Sequence, residues 1–501
     1  MAVSRWKSSI SSPLTTSSGL ALSRISSTYL TREQLSAVTS RNSRLYIEAS
    51  PGSGKTAVAA ERFGTLRFTT RPDTRAVVAL SFTRAAVAEL KQRIKHRWGG
   101  TALAWPHRVD TFDAFLRDLV TNLLRRGLLQ WPGGHQVLTV SDKWEIWGIK
   151  INPRKPIYPH LTIANGRVSY RETSVFAEAL ADGHCTHEEV RALITAILKE
   201  GALSRAIADY MLDAVRALVV DEVFDGNELD LQIIRLACDL GIPVTLIGDP
   251  WQALYAFRGA TPAEVPKLIA DFGFLSHSLT RSFRFRSAAT QSLSAAMRSG
   301  IPANVPFIEP EQQIDVILAS RWEDLWEAGP HVLPLSFGQP TTNGMAAATL
   351  LLNHITRKVL NTSAVYLHEA LNRLGLAPET NLSDAMDQAL SVLQRPNGAT
   401  EAASEEMIAI LRRSNARLRL QRPHLAAYIE RIRLRTAANA LSYIPGLTVH
   451  QAKGQEWNVV GYKATEDDHR ALANGLRNNL NAHRRLYVAL TRARHATVLV
   501  P

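Results

Sequence analysis

The stretch Ala49-Ser50-Pro51-Gly52-Ser53-Gly54-Lys55-Thr56 constrains this chain more than any other. An apolar run, Leu45-Tyr46-Ile47, precedes it and reads as a buried strand; an Ala-rich helical pattern follows from Ala57 to Phe63. Strand, Gly-rich turn, Lys-Thr and helix together make a phosphate-binding loop. Its glycines let backbone N–H groups turn onto phosphate oxygens, and the helix presents its positive end. In such a loop Ser50, Pro51, Gly52, Ser53 and Gly54 wrap the phosphates. Lys55 reaches the β- and γ-phosphates, and the Thr56 hydroxyl holds Mg²⁺. Ala49 stands where the general pattern has its first Gly, so the loop needs support from elsewhere in the chain.

That support comes from a second apolar strand, Ala217 to Val220, which ends in Asp221-Glu222. Buried carboxylates are costly unless they serve a cation or a proton transfer. With a phosphate loop upstream, Asp221 is the partner for Mg²⁺, and Glu222 is the group that orients and deprotonates a water. A third strand, Val244 to Ile247, runs into Gly248-Asp249-Pro250-Trp251-Gln252, with Tyr255, Phe257 and Arg258 close behind. Aromatics interleaved with Arg at a strand's carboxyl edge suit base stacking and phosphate contact, or else simple packing.

Strand-like pieces at 76–80 and 108–110 alternate with helical patterns, which predicts an α/β fold with a parallel sheet and its ligand at the carboxyl ends. From 120 to 205 the strand signals thin out, and a helical insertion is expected. Inside it His184-Cys185-Thr186-His187 has no second ligand pair nearby, and Thr186-x-x-Glu189 is a helix-capping pattern rather than a metal motif. A second α/β pattern starts near Leu279 and resumes at Leu447, with a helical stretch at 361–436 between. The eight arginines of that stretch's last part, Arg412 to Arg435, form either a solvated helix face or a duplex-contacting surface. Residues 1–29 are Ser-rich, with no acidic residue before Glu33. They read as a disordered tail, a transit peptide being the alternative.

Composition adds direction. Lys and Arg number 58 against 45 Asp and Glu, a net charge of +13, which favours a polyanionic partner through counterion release. Two cysteines exclude a disulfide framework and suit a reducing compartment. No apolar run approaches the roughly 18 residues that would span a bilayer, so no membrane partner is expected.

Taken in order, the motifs resemble those of the UvrD/Rep-like helicases of superfamily 1. LTREQ resembles the adenine-reading motif, which would place Gln34 on the adenine edge; by itself the same Thr-x-x-Gln is a capping box. SFTRAA and VDTFDAF resemble motifs Ia and Ib, implying that Phe82 and Thr111 face DNA. DEVFD resembles motif II. GDPWQALYAFRGA resembles motif III, in which Gln252 senses the γ-phosphate while Tyr255, Phe257 and Arg258 touch DNA. LTRSFRF resembles motif IV, implying that Arg284 reaches the γ-phosphate across a cleft and Phe283 stacks on adenine. TVHQAKGQEW resembles motif V, with Glu456 toward the ribose and His450 near the DNA path. RRLYVALTRAR resembles motif VI, with Arg492 a second arginine finger.

The resemblance implies a P-loop NTPase with two RecA-like motor domains, each carrying a largely helical insertion. The first motor domain would be 30–119 with 206–275, its insertion 120–205. The second would be 276–360 with 437–501, its reduced insertion 361–436. It further implies an ATP- and Mg²⁺-dependent helicase or translocase moving 3′→5′ on single-stranded DNA or at a single/double-strand junction. Its setting would be repair, recombination or replication restart in the bacterial cytoplasm. The alternative is a DNA-stimulated ATPase subunit of a phage-defence or nuclease complex that does not unwind duplex, working beside a nuclease or repair partner. Departures from the family pattern are Phe224 for the Gln of motif II, Ala57 for a basic residue after Thr56, and Asn481-Ala482 for the acidic pair opening motif VI. The few residues after Arg494 are expected to leave no room for a nuclease domain.

Overall fold

Six of the chain's strands assemble into one parallel sheet in the computed structural model. It describes residues 30–68, 73–142, 144–146, 149–150, 160–171, 174–309, 312–377, 380–395, 399–436 and 442–501. The Ser-rich stretch 1–29, expected to be a disordered tail, lies outside the described residues. The strands are β1 (Arg44–Ala49), β2 (Ala76–Ser81), β3 (Arg108–Thr111), β4 (Val215–Val220), β5 (Val244–Gly248) and β6 (Leu275–Leu279), in the order β6-β1-β5-β4-β2-β3. Every residue of β2, β4 and β5 is buried, as near-continuous Val/Leu/Ile runs require when helices cover both faces. Alternate residues feed two cores. Ile47, Val77 and Val219 face Phe63, Leu90 and Ile94, whereas Tyr46, Val78 and Leu218 face Phe112, Phe115 and Ile234.

The first sheet runs further than the reading of the chain proposed. β6 pairs with β1 from Leu45↔Leu275 to Ala49↔Leu279, so the boundary at 276 falls inside a strand. An edge strand reading Leu-Ser-His-Ser-Leu is mostly solvent-facing, and so it lacks the apolar run that marks its neighbours.

The expectation of a helical insertion at 120–205 needs correction as well. Helices Ser174–Ala181, His187–Ile197 and Gly201–Ala214 are present, but three small sheets accompany them. One pairs Thr139–Ser141 with His184–Thr186; the others are the hairpins Glu145–Ile146/Ile149–Lys150 and His160–Ala164/Arg167–Arg171. The last turns at Asn165-Gly166, both at positive φ (51° and 71°), which is the Asn-Gly chemistry of a tight hairpin. Thr186 and Glu189 form the expected capping box.

A second sheet is also parallel: β7 (Val316–Ala319), β8 (Val332–Pro334), β9 (Ile444–Thr448), β10 (Trp457–Lys463) and β11 (Ala493–Val500), in the order β8-β9-β7-β10-β11. Its core includes Leu318, Val449, Val460, Tyr462, Tyr487 and Val498. Helices Asn343–Leu360, Leu367–Leu374, Ser383–Leu393, Ala399–Ser414 and Arg422–Thr436 bury a separate core around Leu351, Leu374, Leu411 and Ile429. This helical unit begins at Asn343, not at 361. Helix Asn343–Leu360 packs on Arg422–Thr436 so closely that a Cβ on Gly344 would lie 3.1 Å from the Leu425 nitrogen.

The Arg-rich run divides in two. Arg435 is buried and donates to the carbonyls of Trp326 and Gly329, tying the helical unit to the second sheet. Arg412, Arg417, Arg419 and Arg431 are exposed.

Candidate active site

All strands of the first sheet end at one edge, and that edge meets the second sheet across a cleft of about 770 Å³. The phosphate loop crosses the cleft floor between β1 and helix Lys55–Phe68. Gly52 and Gly54 adopt φ of 72° and 84°, the left-handed region where a side chain is strained. Gly52 is demanded a second time by packing, since a Cβ there would lie 2.4 Å from the Arg284 Cβ. The segment around Arg284 rests on the loop: Ser282 Oγ donates to the Pro51 carbonyl (2.8 Å) and the Phe283 N–H to that of Gly52 (2.8 Å). Ser53 Oγ is buried without a hydrogen-bond partner among the described residues, an orphan polar atom suited to an incoming anion.

Gln34 lines the cleft but is engaged at both ends. Its Oε1 accepts from the Thr31 N–H (2.9 Å), completing the capping box, and its Nε2 donates to the Ser53 carbonyl (2.7 Å).

β4 delivers Asp221 and Glu222 to the same cleft. Glu222 sits at φ 57°, ψ 42°, a left-handed conformation that a non-glycine residue adopts only where its surroundings impose it. Lys55 Nζ lies 3.3 Å from its Oε1. Burial alone would raise Glu222, but the ammonium groups of Lys55 and Lys453 hold it below the usual carboxylate range. Asp221 is the converse: burial, with Glu222 alongside, pushes it up to about 7. Among the described residues no cation pairs with Asp221. A buried carboxylate without a cation, with the Thr56 hydroxyl in the same cleft, is an oxygen-donor set suited to a hard divalent ion.

The far wall belongs to the second sheet and its neighbours. Arg284 Nε lies 2.9 Å from Glu456 Oε1, and its Nη1 donates to the Thr491 carbonyl (2.9 Å). Glu456 also meets Arg494 at 3.3 Å, so two arginines already hold the residue the resemblance assigns to ribose. Arg492 is 1% exposed, and no carboxylate pairs with it among the described residues. Burial, with Arg284 beside it, disfavours its charge. Its Nη2 makes a long contact, 3.4 Å, to Gln252 Oε1. An unpaired buried guanidinium facing a phosphate loop is a cation prepared for an anion.

Phe283 is 44% exposed at the cleft rim, with the Arg281 guanidinium 5.4 Å above its ring.

The residues expected to touch DNA gather at the carboxyl edges. Phe82 stacks on Phe112 at 4.9 Å, while Thr111 caps helix Phe112–Arg125 by accepting from the Ala114 N–H (3.1 Å). Phe257 is 66% exposed. The imidazole of His450 meets its ring edge-on at 5.1 Å from the other sheet, and Arg258 covers both Tyr255 (5.2 Å) and Phe257 (5.4 Å). Thr111 does not line the cleft; Phe82 and Tyr255 do.

Two further groups, outside the residues the motifs single out, also bridge the two sides. Lys453 Nζ pairs with Asp225 Oδ2 (2.5 Å) and lies 4.9 Å over the Tyr255 ring. Arg298 bridges Glu48 and Asp249. Lys453 and Asp225 stand inside quoted motifs and were open to notice; Arg298 stands in none. Phe224, in place of the motif II Gln, is buried edge-on to Tyr46 (6.3 Å) and touches Gly248. An apolar anchor therefore occupies the place of a polar link.

Residues 30–145 and 170–273 match the UvrD/REP helicase N-terminal domain, and residues 382–500 match the UvrD-like helicase C-terminal domain. The chain is 25% identical over 309 residues to the ATP-dependent DNA helicase UvrD1 of Mycobacterium bovis, a match covering 55% of this chain and 39% of that protein. It is 24% identical over 301 residues to DNA helicase II of Escherichia coli, covering 54% and 40%. A similar match, 23% over 301 residues, is to DNA helicase II of Salmonella typhimurium. The matched stretch is thus well under two thirds of these relatives' length.

Proposed function

The chain belongs to the UvrD/REP helicase family, and from that premise we propose that it hydrolyses ATP in the cleft and uses the cycle to move 3′→5′ along single-stranded DNA. One observation carries this reading. Lys55 and Glu222 from the first sheet, Arg284 from the segment that leaves it, and Arg492 beside the second sheet line a single cleft. The division into two motor units, each with an insertion, is part of the same proposal.

In this reading Lys55 leaves Glu222 for the β- and γ-phosphates, and Glu222 becomes free to orient a water and take its proton. Arg284 and Arg492 meet the charge that develops on the transferring phosphoryl group, Arg492 reporting to Gln252. Gln34 and Phe283 flank the adenine, and Glu456 turns to the ribose. Mg²⁺, held through Thr56 and Asp221, would neutralise phosphate charge. Because the second wall's arginines bind only what the first wall holds, ATP favours a closed cleft and its products an open one. Phe82, Tyr255, Phe257, Arg258 and His450 would hold the strand, Phe257 and His450 sliding on one another as the cleft works.

Phe224 favours a second reading, a DNA-stimulated translocase subunit that does not itself separate duplex. Its ring replaces a polar link at the motif II turn with packing.

The test offers partial duplexes with 3′ or 5′ single-stranded tails, plus ATP, to the protein and to Lys55→Ala. Release from the 3′-tailed substrate alone supports the main reading. Turnover stimulated by single strand without release supports the second. No turnover by the unmodified protein removes both.

A further inference from the structure

We infer that Arg298 is a positioning residue, a strut between the two halves that keeps Gln252 and Arg492 in register with the phosphate loop. This rests on the ATP-hydrolysing reading above. Arg298 ends helix Ala288–Arg298, on the second-sheet side, and stands outside every motif read in the sequence. Its guanidinium nevertheless reaches back to the first sheet. Nη2 lies 2.8 Å from Oε1 of Glu48, in the strand that launches the phosphate loop. Nη1 lies 2.9 Å from Asp249 Oδ1 and donates to the Tyr487 hydroxyl at 3.4 Å.

From there the contacts continue to the chemistry. The other Asp249 oxygen accepts from Gln252 Nε2 (2.7 Å), and Gln252 Oε1 accepts from Arg492 Nη2 (3.4 Å). Tyr487, on the helix that ends just before Arg492, sets its ring 5.0 Å from that of Trp251. Glu48, Arg298, Asp249, Gln252 and Arg492 therefore form one connected path between the strand under the loop and the buried finger.

The Asp249 side chain is fully buried, and Arg298 is the only cation paired with it among the described residues. Without Arg298 the buried Asp249 carboxylate keeps only the Trp251 N–H (3.1 Å) and Gln252 on it; it must turn away or take a proton, and either change weakens its hold on Gln252. A planar fork is needed to serve two carboxylates and a hydroxyl at once; a lysine ammonium serves fewer of them in a fixed geometry.

Ground-state affinity for ATP rests chiefly on the phosphate loop rather than on this path. The loop is held by its own bonds, Ser53 N–H to Ser50 carbonyl (3.1 Å) and Val58 N–H to Gly54 carbonyl (2.9 Å), and by Gln34. Gln252 and Arg492 act on the outermost phosphate, where charge grows in the transition state. Loss of Arg298 should consequently appear in kcat and not in KM.

The experiment measures ATP turnover with saturating single-stranded DNA for the full chain and for Arg298→Ala, Arg298→Lys and Glu48→Gln. Arg298→Ala is expected to lower kcat about tenfold or more with KM for ATP within about twofold, and Arg298→Lys to fall between it and the unmodified protein. Glu48→Gln, at a half-exposed and nearly isosteric position, is expected to lower kcat about threefold in the same pattern. The inference is overturned if Arg298→Ala keeps its kcat. It is equally overturned if KM rises in step with the loss while lysine rescues nothing, because that outcome marks packing. If Arg298→Ala does not fold, Glu48→Gln decides, and an unchanged kcat there overturns the inference. An unmodified protein that turns over no ATP at all fails earlier, on the proposed function, and is thereby distinguished.

Discussion

Lys453 Nζ lies 2.5 Å from Asp225 Oδ2, an ion pair that joins the loop after β9 to the turn after β4 across the cleft. Both side chains are nearly buried, at 11% and 5% exposure, and the carboxylates of Asp225 and Glu222 keep the lysine charged against the pull of burial. Removing one partner of a buried pair can cost about 3–5 kcal/mol, and less here because Glu222 Oε2 still lies 3.9 Å from the Lys453 ammonium. Asp225→Ala is expected to lower the thermal unfolding midpoint, and Asp225→Ala/Lys453→Ala to recover part of the loss. A double variant no better than the single one would show that the two residues are not coupled.

Glu222 is charged and held by Lys55, which separates binding from chemistry. Glu222→Gln keeps the shape and loses the proton acceptor, so ATP turnover should fall by about 10²–10⁴. KM for ATP should stay close to that of the unmodified protein. Steady-state kinetics with and without single-stranded DNA measure both, and a KM that rises with the loss would argue for a binding role.

Arg492 gives the sharpest contrast between stability and rate. Arg492→Met should cost about 10³–10⁵ in turnover if the guanidinium is a finger on the phosphoryl group. The same change removes a buried, unpaired cation, so the unfolding midpoint without nucleotide should hold or rise. Differential scanning calorimetry tests the second half independently of the first.

Phe257 is exposed and supports little of the fold, yet it sits between Arg258 and His450. Phe257→Ala should leave the unfolding midpoint unchanged and weaken single-strand binding by about 1–3 kcal/mol, the usual worth of one base stacked on an aromatic ring. Fluorescence anisotropy at two salt concentrations checks this. The salt slope should match that of the unmodified protein, because no phosphate contact is lost.

Phe224 packs edge-on to Tyr46 at 6.3 Å and lies against Gly248, apolar surroundings for a family-like glutamine amide. Phe224→Gln buries an amide without an evident partner and should cost about 1–3 kcal/mol, read as a lower unfolding midpoint. A raised midpoint would show that the polar link can be rebuilt.

The division between what was legible and what was not follows from range along the chain. Gly52, Gly54 and Lys55 are recognisable because a left-handed backbone and a helix start are properties of a few consecutive residues. Fully buried strands such as Val215–Val220 announce themselves as apolar runs in the same way. The edge strand Leu275–Leu279 did not, since half of it faces water, and the boundary drawn at 276 failed there. Asn165-Gly166 was a local signal too, and the hairpin at 160–171 could have been read from it.

By itself the sequence determined two parallel α/β units and marked Lys55, Asp221 and Glu222 by their own short stretches, while Arg284 and Arg492 came from the family resemblance; the structure brings all five to one cleft. Only the tertiary structure decided that Lys453 meets Asp225, that Arg298 spans Glu48 and Asp249, and that Arg492 is buried with no carboxylate paired to it among the described residues. Those pairings join residues far apart in the chain. No local period or spacing encodes the approach of two separately folded sheets, which is set by how their buried faces and edges come together.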